Sequence, residues 1–117
     1  MARQHSVELR KAKRFPVEAS VAFSGVEFIR EGEGTVYNLS RGGCAIRSKH
    51  TVQPGTYLSL RLHLPDATPP VIIDMAVARW TQPQQFGLEF MLMREEEESR
   101  LSRFLAVLEA RPASRPS

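Results

Sequence analysis

Period-two alternation of apolar and polar residues governs the chain as far as Met91. Val17, Ala19, Val21 and Phe23 alternate with Glu18, Ser20, Ala22 and Ser24, which predicts a half-buried strand ending at Gly25. Phe15-Pro16 marks its beginning, because proline fixes its own backbone and holds the preceding residue extended. Any helical turn in Ser6–Arg14 stops there. A second strand is expected over Val26–Arg30 and a turn at Glu31-Gly32-Glu33-Gly34. Thr35-Val36-Tyr37 resumes a strand that runs into Asn38-Leu39-Ser40-Arg41-Gly42-Gly43, and Cys44–Ser48 forms another. After a turn at Gln53-Pro54-Gly55, Leu58, Leu60, Leu62 and Leu64 alternate with Ser59, Arg61 and His63, the clearest strand pattern in the chain. Pro65 to Pro70 reads as a loop. Val71–Trp80 and Phe86–Met91 read as strands separated by Gln82-Pro83-Gln84-Gln85.

The period then lengthens. Leu101, Phe104, Leu105 and Leu108 place one apolar stripe on a helix over Glu95–Ala110. Glu95–Glu98 fall in its first turn, where carboxylates favour the positive end of the helix dipole and read as a solvated start, not an acid–base pair. Six or seven short strands followed by one helix make a mainly β domain, an antiparallel barrel or sandwich. Closing the sheet would protect its edges. No internal repeat interrupts the pattern.

With 117 residues the chain fits one domain with one modest core. Residues 1–14 form a basic N-terminal arm, 15–110 the barrel plus helix, and 111–117, with two prolines, a flexible tail. No apolar run approaches the ~20 residues of a membrane span, and the N-terminus lacks the apolar stretch of a secretory signal. A single cysteine, Cys44, excludes an internal disulfide. His5, His50 and His63 have no metal spacing, so no metal or cofactor is expected. These features suit a cytoplasmic protein.

Charge adds a location. The chain carries +3 overall, yet Arg3, Arg10, Lys11, Lys13 and Arg14 stand against Glu8 alone within the arm, leaving the rest near neutral. DNA binders spread positive charge along a groove-reading element. One compact cluster better suits a small anion, although a basic arm is as often merely solvated.

Arg10-Lys11-Ala12-Lys13-Arg14 sets two arginines four apart just before the first strand, and Asn38-x-Ser40-x-x-Gly43 follows at a strand-to-turn junction. In this order and spacing they resemble the paired signature of PilZ domains, R-x-x-x-R followed by (D/N)-x-S-x-x-G. Phe15-Pro16-Val17, Gly42-Gly43 and Phe86-Gly87-Leu88-Glu89-Phe90 agree with it, and the resemblance covers roughly residues 7 to 110. Lys11 departs from the second arginine that many members carry there; both motif arginines remain.

The resemblance implies a small antiparallel six- to seven-stranded barrel with one C-terminal helix, and cyclic di-GMP as ligand. The side chains are chemically suited. Arginine donates a bidentate pair to guanine O6 and N7, and its planar guanidinium stacks on bases and clamps phosphate as lysine does not. Arg10 and Arg14 would thus neutralise charge and read bases. Asn38 and Ser40 offer short polar groups at a strand end, and Gly43 supplies a conformation or an approach that a Cβ would obstruct. Lys11, Lys13, Arg41 and Gly42 are auxiliary. Taken singly, Asn38, Ser40 and Gly43 also fit a plain turn.

The function implied is a receptor or adaptor that changes shape or partner on binding, in motility, pili or exopolysaccharide production. A ligand-independent adaptor is the alternative. A nucleic-acid-binding barrel would need exposed aromatic platforms among basic residues, whereas Phe15, Phe23, Tyr37 and Phe90 read as core or strand-end residues. Trp80 reads as core or interface before base stacking. Cys44 reads as a small buried hydrophobe, and no nucleophile–base constellation suggests an enzyme.

Overall fold

The computed structural model describes residues 4–6, 13–26, 31–65 and 67–111. Among the described residues, seven strands precede one helix: β1 (Gln4–Ser6), β2 (Phe15–Gly25), β3 (Glu31–Leu39), β4 (Gly43–Arg47), β5 (Tyr57–His63), β6 (Val71–Gln82), β7 (Gln85–Arg94) and α1 (Glu95–Ala110). All pairings are antiparallel, in the order β1-β7-β4-β3-β2-β5-β6, and β6 also pairs with β7. That last pairing closes β2–β7 into a six-stranded barrel, the form the chain's alternation leaves open beside a sandwich.

Alternation explains the interior. Val21 and Phe23 from β2, Leu60 and Leu62 from β5, and Phe86 and Phe90 from β7 face inward and are buried. Phe23 meets Phe86 edge-on, with ring centroids 5.5 Å apart. Leu101 and Leu105 of α1 complete the core, and Phe104 and Leu108 pack against it half-buried. Each buried leucine or phenylalanine contributes ~1.5–3 kcal/mol by leaving water.

The expected turn is overturned. Glu31–Gly34 is not a turn but the first half of β3, with Gly32 opposite Phe23 and Gly34 opposite Val21. The glycines are there because neighbours crowd them: a Cβ on Gly32 would overlap the Phe23 ring, and one on Gly34 the Arg47 carbonyl. Of the strand expected over Val26–Arg30, Val26 is exposed and outside any strand, and the rest lies outside the described residues. Within the basic arm, Gln4–Ser6 is a strand, set against β7 with His5 opposite Met93.

Turn chemistry follows the sequence at Gln53-Pro54-Gly55-Thr56, where Thr56 N–H donates to Gln53 carbonyl and Gly55 has φ +89. The β6–β7 connection has the same signs of φ without a glycine: Pro83 precedes Gln84, whose φ is 65. At the start of α1, Glu97 is not a solvated charge. Its Oε1 accepts from Ile72 N–H at 2.8 Å and from Arg100 at 3.1 Å, tying helix to barrel.

Candidate functional site

β2 and β3 each break register beside the second motif. In β2 the irregularity falls between Pro16 and Ala19, in β3 between Val36 and Asn38. A bulge of this kind re-aims side chains and sharpens the twist. Phe15 then pairs with Leu39 and Pro16 with Asn38. Leu39 turns into the core, and Asn38 is left half-buried on the outside. Arg14, one residue before β2, donates from Nη1 to Asn38 Oδ1 at 3.2 Å. The two motifs, 24 positions apart, therefore meet in one hydrogen bond.

Ser40-Arg41-Gly42-Gly43 carries the chain from β3 to β4. Ser40 is 2% exposed; its N–H donates to the Gly43 carbonyl, and its Oγ donates to that carbonyl and accepts from Gly42 N–H. Gly42 carbonyl accepts from Phe90 N–H, which pins the turn to β7. A Cβ on Gly43 would overlap the Leu88 carbonyl, so this glycine permits close packing of β4 on β7. Ser40 and Gly43 thus build the turn, Asn38 faces outward from it, and Arg41 is exposed at its tip.

Register lines up a row across five strands: Pro16, Asn38, Ala45, Gly87 and Trp80, from β2, β3, β4, β7 and β6. Cys44, Ile46, Phe86 and Leu88 point into the core, so Ala45 and Gly87 form a floor of small residues on the outer face, already covered there: Ala45 is 6% exposed and Gly87 lies under the Trp80 indole. Arg14 and Asn38 bound it on one side, and Trp80, 40% exposed, on the other. Next to this row the Arg47 guanidinium sits 4.3 Å from the Tyr37 ring centroid, and Tyr37 Oη donates to Gln85 Oε1 at 2.6 Å. Beyond it Arg79 bonds Glu89. A shallow face with arginines, an amide and aromatic edges suits a planar, anionic, base-bearing molecule.

Lys13 Nζ pairs with Glu109 Oε2 at 3.3 Å. Lys13, Phe15 and Arg41, with Ser102, Leu105, Ala106 and Glu109 of α1, line a cleft of about 600 Å³ beside the turn. Arg10 and Lys11 lie outside the described residues. Cys44 is buried, and loss of solvent pushes its thiol up to about 12, against a smaller downward pull from Arg14. A thiol so held is no nucleophile.

Sequence reasoning named Arg14, Asn38, Ser40 and Gly43; it did not name Tyr37, Arg47, Ala45 or Gly87, which the registers bring beside them. Only the Phe86–Phe90 stretch hinted at the last of these. Among the described residues, no helix is long and apolar enough to cross a membrane, and no group of three His, Cys, Asp or Glu side chains could hold a metal ion.

Comparison with solved structures finds the same barrel. The PilZ domain of CeSA from a cellulose-synthesizing bacterium superposes with TM-score 0.65 at 18% identity, over 83% of this chain and 98% of that one. The Bacillus subtilis inhibitor of motility, MotI/DgrA, gives TM-score 0.67 at 23% identity, over 91% of this chain but 55% of its own length. The PilZ domain of YcgR from Escherichia coli, solved with c-di-GMP, gives TM-score 0.52 at 13% identity, over 87% and 92%. No curated protein matches the chain in sequence. The profile of the PilZ domain, however, matches residues 8–107, from the arginine motif through the barrel and into the helix that caps it. The chain belongs to the PilZ domain family.

Proposed function

We propose that this protein is a receptor for cyclic di-GMP, working in the bacterial cytoplasm and passing the signal to another protein. The ligand docks on the outer face between Arg14–Asn38 and Trp80, with Arg10 and Arg14 on its guanines and phosphates, and Lys11, Lys13 and Arg41 adding attraction. The observation that carries this reading is the Arg14–Asn38 hydrogen bond, which joins the two motifs at the edge of a floor of small residues. That YcgR's domain was solved with c-di-GMP supports the ligand, and the inhibitor MotI supports motility as one process under such control. The turn-forming Ser40 and Gly43 act by holding Asn38 in place. A ligand-independent adaptor would have no use for an arginine matched to Asn38 in this way.

Calorimetric titration with cyclic di-GMP, with GTP and GMP as controls, tests the proposal. Wild type should bind the dinucleotide alone. Arg10→Ala and Arg14→Ala should each cost ~1–3 kcal/mol of binding, and Arg14→Lys should also bind markedly less well, since it keeps charge but loses the planar fork. Unchanged affinity in both alanine variants would dismiss the receptor reading.

A further inference from the structure

Apolar surface from the core reaches solvent at a second place, beside α1. Of the five partly buried hydrophobics packed against the core, Val17, Ala67, Phe104 and Leu108 line one groove, and only Phe15 lies elsewhere. The groove, of about 650 Å³, runs between the start of β2, the loop from Pro65 and the flank of α1. Val107, 57% exposed, stands in its lining. The recess is apolar inside and polar at its rim, the arrangement of a surface that receives another chain's side chains.

The rim has a sign. Arg103 and Arg111 line the groove without an ion-pair partner among the described residues. Arg100 is engaged by Glu97 and by the carbonyls of Pro69 and Pro70, and among the described residues Glu18 is the one carboxylate of the lining.

We infer that this groove docks an effector protein through an acidic amphipathic segment, whose apolar side chains enter between Val17, Phe104 and Leu108 while its carboxylates meet Arg103 and Arg111. The walls call for a shaped chain, and two guanidiniums without an ion-pair partner among the described residues call for carboxylates, which they bind in a planar fork. A flat anionic membrane would meet neither the recess nor Glu18 well. The groove also borders the ligand site: Pro16 lines it and pairs with Asn38, and Lys13 is linked to α1 through Glu109. Docking stands without ligand; its role as the output of the receptor rests on the function proposed above.

Fluorescence anisotropy of the full chain with a labelled synthetic peptide tests it. The peptide has about 12 residues, with leucines at i, i+3 and i+7 on a glutamate background. One twin replaces glutamate by lysine, another replaces leucine by serine. The glutamate–leucine peptide should bind and both twins should not. Arg103→Glu and Val107→Glu, both exposed positions, should each weaken it about tenfold or more. Cyclic di-GMP titrations of these variants should match wild type, so a failed groove is distinguishable from a failed receptor. Equal binding of the charge twins, or full binding by both variants, would overturn the inference. So would a dimer of this chain that Val107→Glu dissolves, or retention on phosphatidylglycerol vesicles without peptide binding. Peptide affinity unmoved by saturating cyclic di-GMP would overturn the output role.

Discussion

Trp80 fills the space that a side chain at Gly87 would need, directly across the β6–β7 pairing. A glycine weakens a strand by leaving nothing to pack, and an aromatic neighbour laid across it restores the lost contact. The pair also shapes the proposed ligand face, since any Cβ at Gly87 would push the indole off it.

Gly87→Ala should therefore displace Trp80 and destabilise the barrel by ~1–3 kcal/mol. Trp80 is the only tryptophan, so its emission reports the change directly. A thermal melt and emission spectrum identical to wild type would show that the indole has room to spare.

Asn38 and Ser40 should separate binding from folding. Asn38→Ala loses an exposed hydrogen bond to Arg14 and should melt within a few degrees of wild type while losing cyclic di-GMP affinity. Ser40→Ala strips a buried hydroxyl from two backbone partners and should cost ~1–3 kcal/mol of stability even without ligand. Paired urea melts and titrations check this; equal stability in the two variants would contradict the division of roles.

Cys44 makes stability fall in alkali. Burial raises its thiol from 9.0 to about 12 in the folded chain, so the unfolded chain gives up this proton first. The contribution is intact below pH about 9 and declines as pH climbs towards 12, by up to ~1.4 kcal/mol per pH unit. Urea melts at about pH 8 and about pH 10.5 should show a steeper loss in wild type than in Cys44→Ala. Equal slopes would mean that other groups carry the alkaline transition.

Gln84 holds a left-handed backbone at φ 65 behind Pro83, where a non-glycine residue costs ~1–2 kcal/mol. Glycine gives back ~0.5–1 kcal/mol of this through its freer unfolded chain. Gln84→Gly should thus gain up to about 1 kcal/mol and a few degrees in Tm, whereas Gln84→Val should lose stability. Calorimetric melting of the two variants decides.

The strands at Val17–Ser24 and Leu58–Leu64 and the helix over Glu95–Ala110 were legible because each buries one face, which stamps a period on the sequence. Gly32 and Gly34 erased that period in β3, and nothing local distinguishes a glycine that makes room for Phe23 from one that makes a turn. β1 is three polar residues paired with β7, so it left no pattern either. For the site, residue types were legible and directions were not. Arg14 and Asn38 announced themselves by spacing, but the neighbours Ala45, Gly87 and Trp80 come from three other strands, through registers that bulges shift. Ser40 turned inward for the same reason: its partners, Gly42 and Gly43, are fixed by the turn and by its tie to β7.

β1 has a bearing on recognition that its size conceals. It secures the chain against β7 at Leu92–Arg94, and the chain enters the barrel again at Phe15. The stretch 7–14 thus joins two points of one body, and its eight residues can span no more than ~30 Å even when fully extended. A segment held at both ends has less entropy to lose when a ligand draws it in than one held at a single end. A three-residue strand remote from the ligand face would in this way set affinity by tethering alone.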